Sequence, residues 1–100
     1  MSFIVVMARL YPKEGTEENI IPLAESLVEE TLKEEGNIDY TFLKSVKDST
    51  FIFLEEWKSV EALSKHLASP HFKLFSKESA DYVEDMEIKV LSAEELNLYE

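Results

Sequence analysis

Two stretches of the chain are apolar at nearly every position. Residues 3–8 run Phe-Ile-Val-Val-Met-Ala, and residues 51–54 run Phe-Ile-Phe-Leu. Successive side chains of a strand point to opposite faces of a sheet, so an unbroken apolar run predicts a strand buried on both faces. We therefore expect strands over residues 2–11 and 51–57.

Two further stretches alternate between apolar and polar positions, as strands with one buried face do. The first covers residues 37–46 and the second residues 82–91. The turn formers Lys-Asp-Ser at residues 47–49 separate the first of these from the strand over residues 51–57, which predicts a hairpin. The residues expected on one face of each strand are Ile38, Tyr40, Phe42 and Val46, and Tyr82, Glu84, Met86, Ile88 and Val90.

The first helix is predicted from Thr16, its N-cap, to about Glu35, with Gly36 as the residue that follows the helix. Apolar residues recur along it at the three- and four-residue spacing of one helix face. This face comprises Ile20, Leu23, Ala24, Leu27, Val28, Thr31 and Leu32.

A second helical segment is predicted to begin at Ser59 as N-cap and to break at Ser69-Pro70, where the proline suits the first turn of a third helix. The third helix carries Phe72 and Phe75. The inward face of the second helix is expected to hold Val60, Leu63, His66 and Leu67.

The predicted order β-α-β-β-α-β indicates an α+β, ferredoxin-like fold, in which helices cover one face of an antiparallel sheet. We expect a single domain over residues 1–100, with a core over about residues 2–92 and an acidic tail over residues 93–100 that forms a short helical turn. Because two strands are apolar on both faces, the second face needs a cover, and we predict a homodimer packed sheet to sheet.

Charge and cysteine content narrow the function. The formal net charge is -11, which argues against binding to nucleic acid or to anionic membrane surfaces. The chain contains no cysteine, no signal-peptide pattern and no apolar run of membrane-spanning length, so a cytoplasmic location is expected.

The candidate chemistry lies in residues 55–72, which contain the single tryptophan and both histidines. Glu55 and Trp57 share a strand face, and His66 lies on the inward face of the next helix, so the three can line one cavity. Imidazole titrates near neutral pH and can relay protons, and a carboxylate can orient it. The aromatic wall begun by Trp57 can be extended by Tyr40, Phe42, Phe72 and Phe75.

Each of these residues also has a purely structural interpretation. An inward histidine is commonly a hydrogen-bonded core residue, and a tryptophan is commonly core. Glu55 can end its strand at the surface, and His71 can be exposed in the first turn of its helix.

Metal and nucleotide sites are not indicated. His66 and His71 are five residues apart across a proline break, so they are not a metal-binding pair on one helix. The two glycines, Gly15 and Gly36, form no phosphate-binding loop, which removes the usual nucleotide and flavin motifs.

The chain resembles the antibiotic-biosynthesis-monooxygenase (ABM) family, in particular its quinol-monooxygenase-like branch. The resemblance is carried by Ala-Arg at residues 8–9, Lys-Glu-Gly at 13–15, Glu-Gly-Asn-Ile-Asp-Tyr at 35–40, Phe-Leu-Glu-Glu-Trp-Lys-Ser at 53–59 and, most specifically, His-Leu-Ala-Ser-Pro-His-Phe at 66–72.

The resemblance implies a dimeric α+β barrel that oxygenates a quinol, phenol or anthrone-type aromatic with dioxygen, without metal or flavin. A small aromatic molecule and dioxygen are thus the expected substrates. His66, Trp57, Asn37 and Glu55 are carried over as the catalytic set, with Trp57 as aromatic wall and Asn37 and Glu55 as hydrogen-bonding partners. Tyr40, Phe42, Phe72, Phe75 and His71 are the expected substrate contacts.

The haem-degrading branch of the family fits less well. It has an asparagine on the first strand where this chain has Ala8, and its haem-ligating histidine falls near Ser76. Two alternatives stay open: an isomerase of a small signalling metabolite, and a ligand-binding dimer without turnover.

Overall fold

The computed structural model describes residues 2–99 and confirms the α+β, ferredoxin-like arrangement. The break at Ser69-Pro70 produces two short helices, as predicted. The elements are β1 (Ser2–Pro12), α1 (Glu17–Thr31), β2 (Asn37–Lys44), β3 (Phe51–Trp57), α2 (Val60–Leu67), α3 (Pro70–Ser79), a 3₁₀ turn (Ala80–Tyr82) and β4 (Val83–Glu94).

The four strands form one antiparallel sheet in the order β2-β3-β1-β4. Its register sets rows of side chains that share a face. Val6 of β1 lies opposite Glu55 on one side and Val90 on the other, and Glu55 in turn lies opposite Tyr40. The helices pack over this face, which therefore carries the core and brings Glu55 and Tyr40 beneath them.

The opposite face, called here the uncovered face, carries the other residue of each alternating pair. Val5, Ile52 and Leu54 are half-buried there, and Met7 and Leu91 are exposed. β1 and β3 thus carry apolar side chains on both faces, as predicted, and those on the uncovered face lie at the surface. No helix within residues 2–99 has the length and apolarity needed to cross a membrane.

Side-chain caps begin both α2 and α3. The cap by Ser59 was predicted from the sequence, whereas the cap by Ser69 was not; the sequence predicted only the break at Ser69-Pro70. The Ser59 hydroxyl accepts a hydrogen bond from the Ala62 amide at 3.1 Å. The Ser69 hydroxyl accepts from the Phe72 amide at 3.2 Å and donates to the His66 carbonyl at 2.6 Å. Ser69 therefore ties the end of α2 to the start of α3.

The start of α1 differs from its prediction. Thr16 precedes the helix, but its side chain does not cap it. The hydroxyl instead lies 2.6 Å from the carbonyl oxygen of Lys13 and 3.0 Å from that of Tyr82, and its single hydrogen is shared between them. Thr16 thus joins the loop before α1 to the turn before β4.

The end of α1 also differs, because the helix ends at Thr31 rather than near Glu35. The amides of Lys33 and Glu34 bond to carbonyls three residues back, so the last turn tightens and the chain leaves the helix axis. The prediction that Gly36 directly follows the helix is wrong, since the helix ends at Thr31 and its C-cap is Leu32. Among residues 2–99 the glycine with a positive φ is Gly15. A Cβ on Gly36 would lie 2.3 Å from the Cβ of Ala62, so this glycine permits the close approach of α2.

Three further strand boundaries and the buried face of α2 differ from the predictions. β2 ends at Lys44 because Ser45 and Thr50 close the hairpin loop. Tyr82 lies in the 3₁₀ turn, and β4 continues to Glu94 because β1 offers it a partner as far as Ser2.

The start of the predicted tail, residues 93–94, therefore belongs to β4, and the tail forms no helical turn within residues 93–99. Residues 95–99 lie outside helices and strands, and Glu100 lies outside the described residues. On α2, Leu63 and His66 are buried, but Val60 is 63% exposed and Leu67 is 48% exposed, because a helix of two turns buries only its central inward positions.

Candidate active site between the helices and the sheet

A cavity of about 370 Å³ lies between the sheet and the helices. Its volume is in the range found for small-molecule sites. Most of its wall is apolar because the sheet row and the helix faces that enclose it are the core faces of their elements. The sheet contributes Val6, Ala8 and Phe53, and the helices contribute Leu63, Phe72 and Phe75.

One side of the cavity is formed by β4, which lies at the edge of the sheet. Met86, Ile88 and Val90 line the cavity there and remain 38%, 63% and 53% exposed. The helices therefore enclose the cavity over β3 and β1 but leave it accessible over β4.

Glu55 is the carboxyl group in the cavity wall and is only 5% exposed. The Trp57 indole Nε1 donates to its Oε1 at 2.9 Å. Burial raises the pKa of Glu55 to about 7, although the tryptophan hydrogen bond favours the ionised form. A carboxyl group with this pKa can either donate or accept a proton near neutral pH.

His66 is the imidazole of the cavity wall and is 1% exposed. Its Nδ1 lies 2.7 Å from Oε2 of Glu34. Its other nitrogen, Nε2, is buried without a hydrogen-bond partner among residues 2–99. Burial lowers the pKa of His66 and outweighs the opposing effect of Glu34, so the ring is neutral at neutral pH and can act as a base.

Aromatic rings hold the His66 imidazole from several sides. The centroid of its ring lies 4.7 Å from that of Trp57, 5.3 Å from Tyr40 and 5.1 Å from Phe72. Burial also raises the pKa of the Tyr40 hydroxyl, so this group stays protonated and can donate a hydrogen bond. The ring is thus fixed in an apolar surrounding where water competes little for its nitrogen.

Glu34 is the site residue that the sequence did not reveal. The same Oε2 that meets His66 also lies 2.7 Å from Nε2 of His71. The two histidines are on different helices, as expected, yet both rings meet one carboxylate. The early end of α1 brings Glu34 to them, and nothing in the sequence separates it from the neighbouring glutamates of residues 25–35.

The structure brings together five of the predicted site residues in the cavity wall. These are His66, Glu55, Tyr40, Phe72 and Phe75. They come from β2, β3, α2 and α3, and they line the cavity between the sheet and the helices.

The other four predicted residues lie outside the wall. Trp57 is completely buried behind His66, so it supports the ring and Glu55 rather than forming a wall of the cavity. Phe42 packs on Phe51 and Phe53 in the core. Asn37 donates to the carbonyls of Asp39 and Glu56, and its side chain holds the irregular start of β2. His71 does not line the cavity; it contacts Glu34, and its ring centroid lies 5.9 Å from that of His66.

The cluster of Glu34, His66 and His71 also has the donor types of a metal site, with ligand-type atoms within 4.8 Å of one another. The two contacts to Glu34 have the 2.7 Å length of charge-assisted hydrogen bonds. The geometry is therefore complete as a hydrogen-bonded cluster of two imidazoles on one carboxylate.

Three relatives resemble the chain over most of its length. It is 36% identical to "Putative monooxygenase YcnE" of Bacillus subtilis over 73 residues, covering 72% of this chain and 77% of that one. It is 25% identical to "Probable quinol monooxygenase YgiN" of Escherichia coli over 100 residues, covering 91% and 96%. It is 33% identical over 89 residues to "Uncharacterized protein sll1783" of Synechocystis, covering 87% of this chain but spanning only 60% of that longer protein.

A solved structure of a conserved protein from Methanosarcina mazei Go1 has the same fold. It superposes with a TM-score of 0.87 at 34% identity, covering 91% of this chain and 92% of the other. Residues 3–78 match the family described as "Antibiotic biosynthesis monooxygenase". The match covers three quarters of the chain, from β1 through most of α3, and the chain belongs to the ABM family.

Proposed function

We propose that the protein is a monooxygenase that oxidises a quinol, phenol or anthrone-type aromatic with dioxygen, without metal or flavin. The observation that carries the proposal is the buried imidazole of His66 in the wall of an apolar cavity, with one ring nitrogen that has no hydrogen-bond partner among residues 2–99. Burial lowers the pKa of this imidazole and so favours its neutral form. The name of the Escherichia coli relative supports a quinol as substrate class.

The reaction needs little from the protein beyond a dry cavity and a base. An electron-rich phenol or anthrone that loses a proton can transfer an electron to dioxygen, and the radical pair combines to a peroxide. With an anthrone, loss of water from the peroxide converts the CH₂ group to C=O. One oxygen atom stays in the product, and the other leaves as water with the two hydrogens of the CH₂ group.

His66 would take the first proton, because burial lowers its pKa and its Nε2 has no hydrogen-bond partner among residues 2–99. Glu55, with a pKa of about 7, would return a proton to the peroxide or hold a substrate oxygen in its protonated form. Phe53, Phe72 and Phe75 would contact the rings of the substrate. Exclusion of water protects the substrate anion and the peroxide from side reactions.

An isomerase is the second candidate, and one observation favours it. A neutral base and a carboxyl group with a pKa of about 7 in one cavity wall suit proton transfer between two carbons of a substrate, which requires no dioxygen. A ligand-binding protein without turnover would use the same apolar wall.

A second copy of the chain is the proposed cover of the uncovered face. Ile52, Leu54, Val5, Met7 and Leu91 place apolar side chains on a surface free of helices within residues 2–99. Sedimentation of the protein should give a dimer, and Leu54→Glu should give a monomer. A monomeric wild-type protein at micromolar concentration would contradict this.

The absence of cysteine is compatible with a cytoplasmic location.

Oxygen consumption with a panel of anthrones and quinols tests the oxygenase. We expect uptake above the autoxidation rate and a loss of about 100-fold or more in kcat with His66→Gln. Lys65→Gln, an exposed neighbour on α2, is the matched control and should retain full activity. Absence of uptake over the whole panel, or equal rates for both variants, would reject the proposal, and substrate isomerisation under nitrogen would favour the second candidate.

A further inference from the structure

We infer that Glu34 is a positioning residue that fixes His66 as the Nδ1–H tautomer and so presents the lone pair of Nε2 to the substrate, and that His71 is the second donor that holds the Glu34 carboxylate in place. The catalytic part of this inference rests on the proposed function. The tautomer itself does not.

The shared oxygen determines where the protons are. An ionised carboxylate only accepts hydrogen bonds, and Oε2 of Glu34 lies 2.7 Å from Nδ1 of His66 and 2.7 Å from Nε2 of His71. Each of these nitrogens must therefore carry a hydrogen. A neutral imidazole carries one hydrogen, so Nε2 of His66 is the unprotonated nitrogen.

Burial makes this assignment consequential. Nε2 of His66 is buried and has no partner among residues 2–99, on a residue that lines the cavity. A buried acceptor without a donor costs free energy, which a ligand hydroxyl donating to Nε2 would recover. The inferred ligand is therefore an aromatic molecule with a hydroxyl group that reaches Nε2.

His71 does not line the cavity, but it holds the Glu34 carboxylate through a second hydrogen bond. The side chain of Glu34 is 17% exposed, so water competes for its oxygens. A second hydrogen bond from His71 restricts the carboxylate to the rotamer that faces His66. The Ser69 bridge between α2 and α3 sets the two rings on the same side of Glu34.

The same geometry accounts for stabilisation of the charged base. When Nε2 accepts the substrate proton, His66 becomes a cation in a buried site. Glu34 then lies in direct contact with the opposite edge of the ring and offsets the charge, as the carboxylate does in other carboxylate–histidine pairs. Glu34 acts on the reaction only through His66.

A bound metal ion would require the opposite tautomer. Coordination through Nδ1 of His66 would replace the Nδ1 hydrogen and place the remaining one on Nε2. The position of one hydrogen thus separates the two interpretations of the cluster of Glu34, His66 and His71.

Long-range ¹H–¹⁵N NMR spectra of protein labelled at histidine determine that position directly. In metal-free protein at pH 7.5 we expect His66 as Nδ1–H, with the unprotonated ¹⁵N shift at Nε2. Glu34→Ala should convert part or all of the population to Nε2–H, and Glu35→Ala, the exposed neighbour, should leave it unchanged. His66 with its proton on Nε2, or stoichiometric metal in the purified protein, would overturn the inference.

Kinetics test the positioning role once a substrate is turned over. Glu34→Gln should lower kcat at least about ten-fold with little change in KM, and Glu34→Asp should recover part of the loss, whereas Glu35→Gln should have no effect. Equal kcat for wild type and Glu34→Gln would overturn the role of Glu34. Because the NMR result needs no substrate, failure of the proposed oxygenase and failure of this inference are distinguishable.

Discussion

The helix-covered face of the sheet has two unlike sides. On the closed side, over β2 and β3, Tyr40, Phe53 and Trp57 are 4%, 2% and 0% exposed. On the open side, over β4, Ile88 is 63% exposed and its neighbours Met86 and Val90 are also exposed. β3 begins with an unbroken apolar run whereas β4 alternates, but the residues of both strands that face the cavity are mostly apolar. The difference in exposure therefore comes from where the helices can reach.

The functional groups lie at the border between these sides. The closed side supplies rigidity, since His66 and Glu55 are held by Trp57 and Tyr40 within the core. The open side supplies access, because β4 completes the cavity wall without helices above it. A site at such a border can have fixed, desolvated polar groups and still admit a ligand.

Loss of Trp57 should have the largest effect on stability, because it would open the centre of the closed side. We expect Trp57→Ala to lower the free energy of unfolding by about 4 kcal/mol. It also removes the hydrogen bond to Glu55. Urea denaturation at fixed protein concentration measures the loss. We expect Trp57→Phe to lose about half as much free energy of unfolding as Trp57→Ala. A loss below about 1 kcal/mol for Trp57→Ala would show that the closed side is not tightly packed.

Gly36→Ala should break the closed side at its edge. The added Cβ would lie 2.3 Å from the Cβ of Ala62 and 3.3 Å from its Cα, so either α2 or the chain at Gly36 must shift. We expect a loss of about 3 kcal/mol, as for overpacking of a core.

The double variant Gly36→Ala, Ala62→Gly should recover most of that loss, and Gly15→Ala is the control. Gly15 has open space around it but a φ of 78°, so its substitution should cost about 1 kcal/mol from backbone strain alone. Additive losses in the double variant would show that contact with Ala62 is not the cause.

Glu55→Gln should make the free energy of unfolding depend less on pH. The pKa of Glu55 rises from 4.5 to about 7 on folding, so the folded wild type holds this proton longer than the unfolded chain. Its contribution to stability is present below pH 4.5 and is lost as the pH rises towards 7 and beyond. The variant should therefore gain about 2 kcal/mol relative to wild type between pH 5 and pH 8.

His66 changes stability with pH in the opposite direction from Glu55. Because it does so equally in wild type and in Glu55→Gln, it does not affect the difference between them. Its pKa is lowered by burial, so stability is lost as the pH falls below about 6.5, in the variant and in wild type alike. Denaturation curves of both proteins at several pH values give the difference. A difference that does not change with pH would mean that the pKa of Glu55 is not raised on folding.

The comparison also explains which features the sequence could predict. Alternation correctly placed Met86, Ile88 and Val90 of β4 on one face, and local capping correctly placed the helix starts at Ser59 and Pro70. Alternation failed at Val46, which lies beyond the end of β2 and is exposed. The exposure of Ile88 depends on helices that are distant in the sequence. The role of Gly36 depends on Ala62, which packs against it only in the folded chain.

The candidate site shows the same division. The inward position of His66 follows from helical spacing, and the shared face of Glu55 and Trp57 follows from strand alternation. The partnership with Glu34 requires the early end of α1 and the turn at Ser69, which bring residues 34, 66 and 71 together. Whether Trp57 reaches the cavity depends on how His66 and Tyr40 pack in front of it, which no local pattern encodes.

Ile88→Ala should have the smallest effect on stability and sharpens the comparison most directly. Ile88 and Phe53 lie on either side of Ala8 in the same row of the sheet, one on each side of the face. We expect Ile88→Ala to cost less than about 1 kcal/mol, because most of its surface is exposed already, and Phe53→Ala to cost about 3 kcal/mol or more. Binding of an apolar aromatic ligand should weaken several-fold in Ile88→Ala, since this side chain lines the cavity. A loss above 2 kcal/mol that depends on protein concentration would show instead that a second copy covers β4, and the open side would then be an interface rather than an entrance.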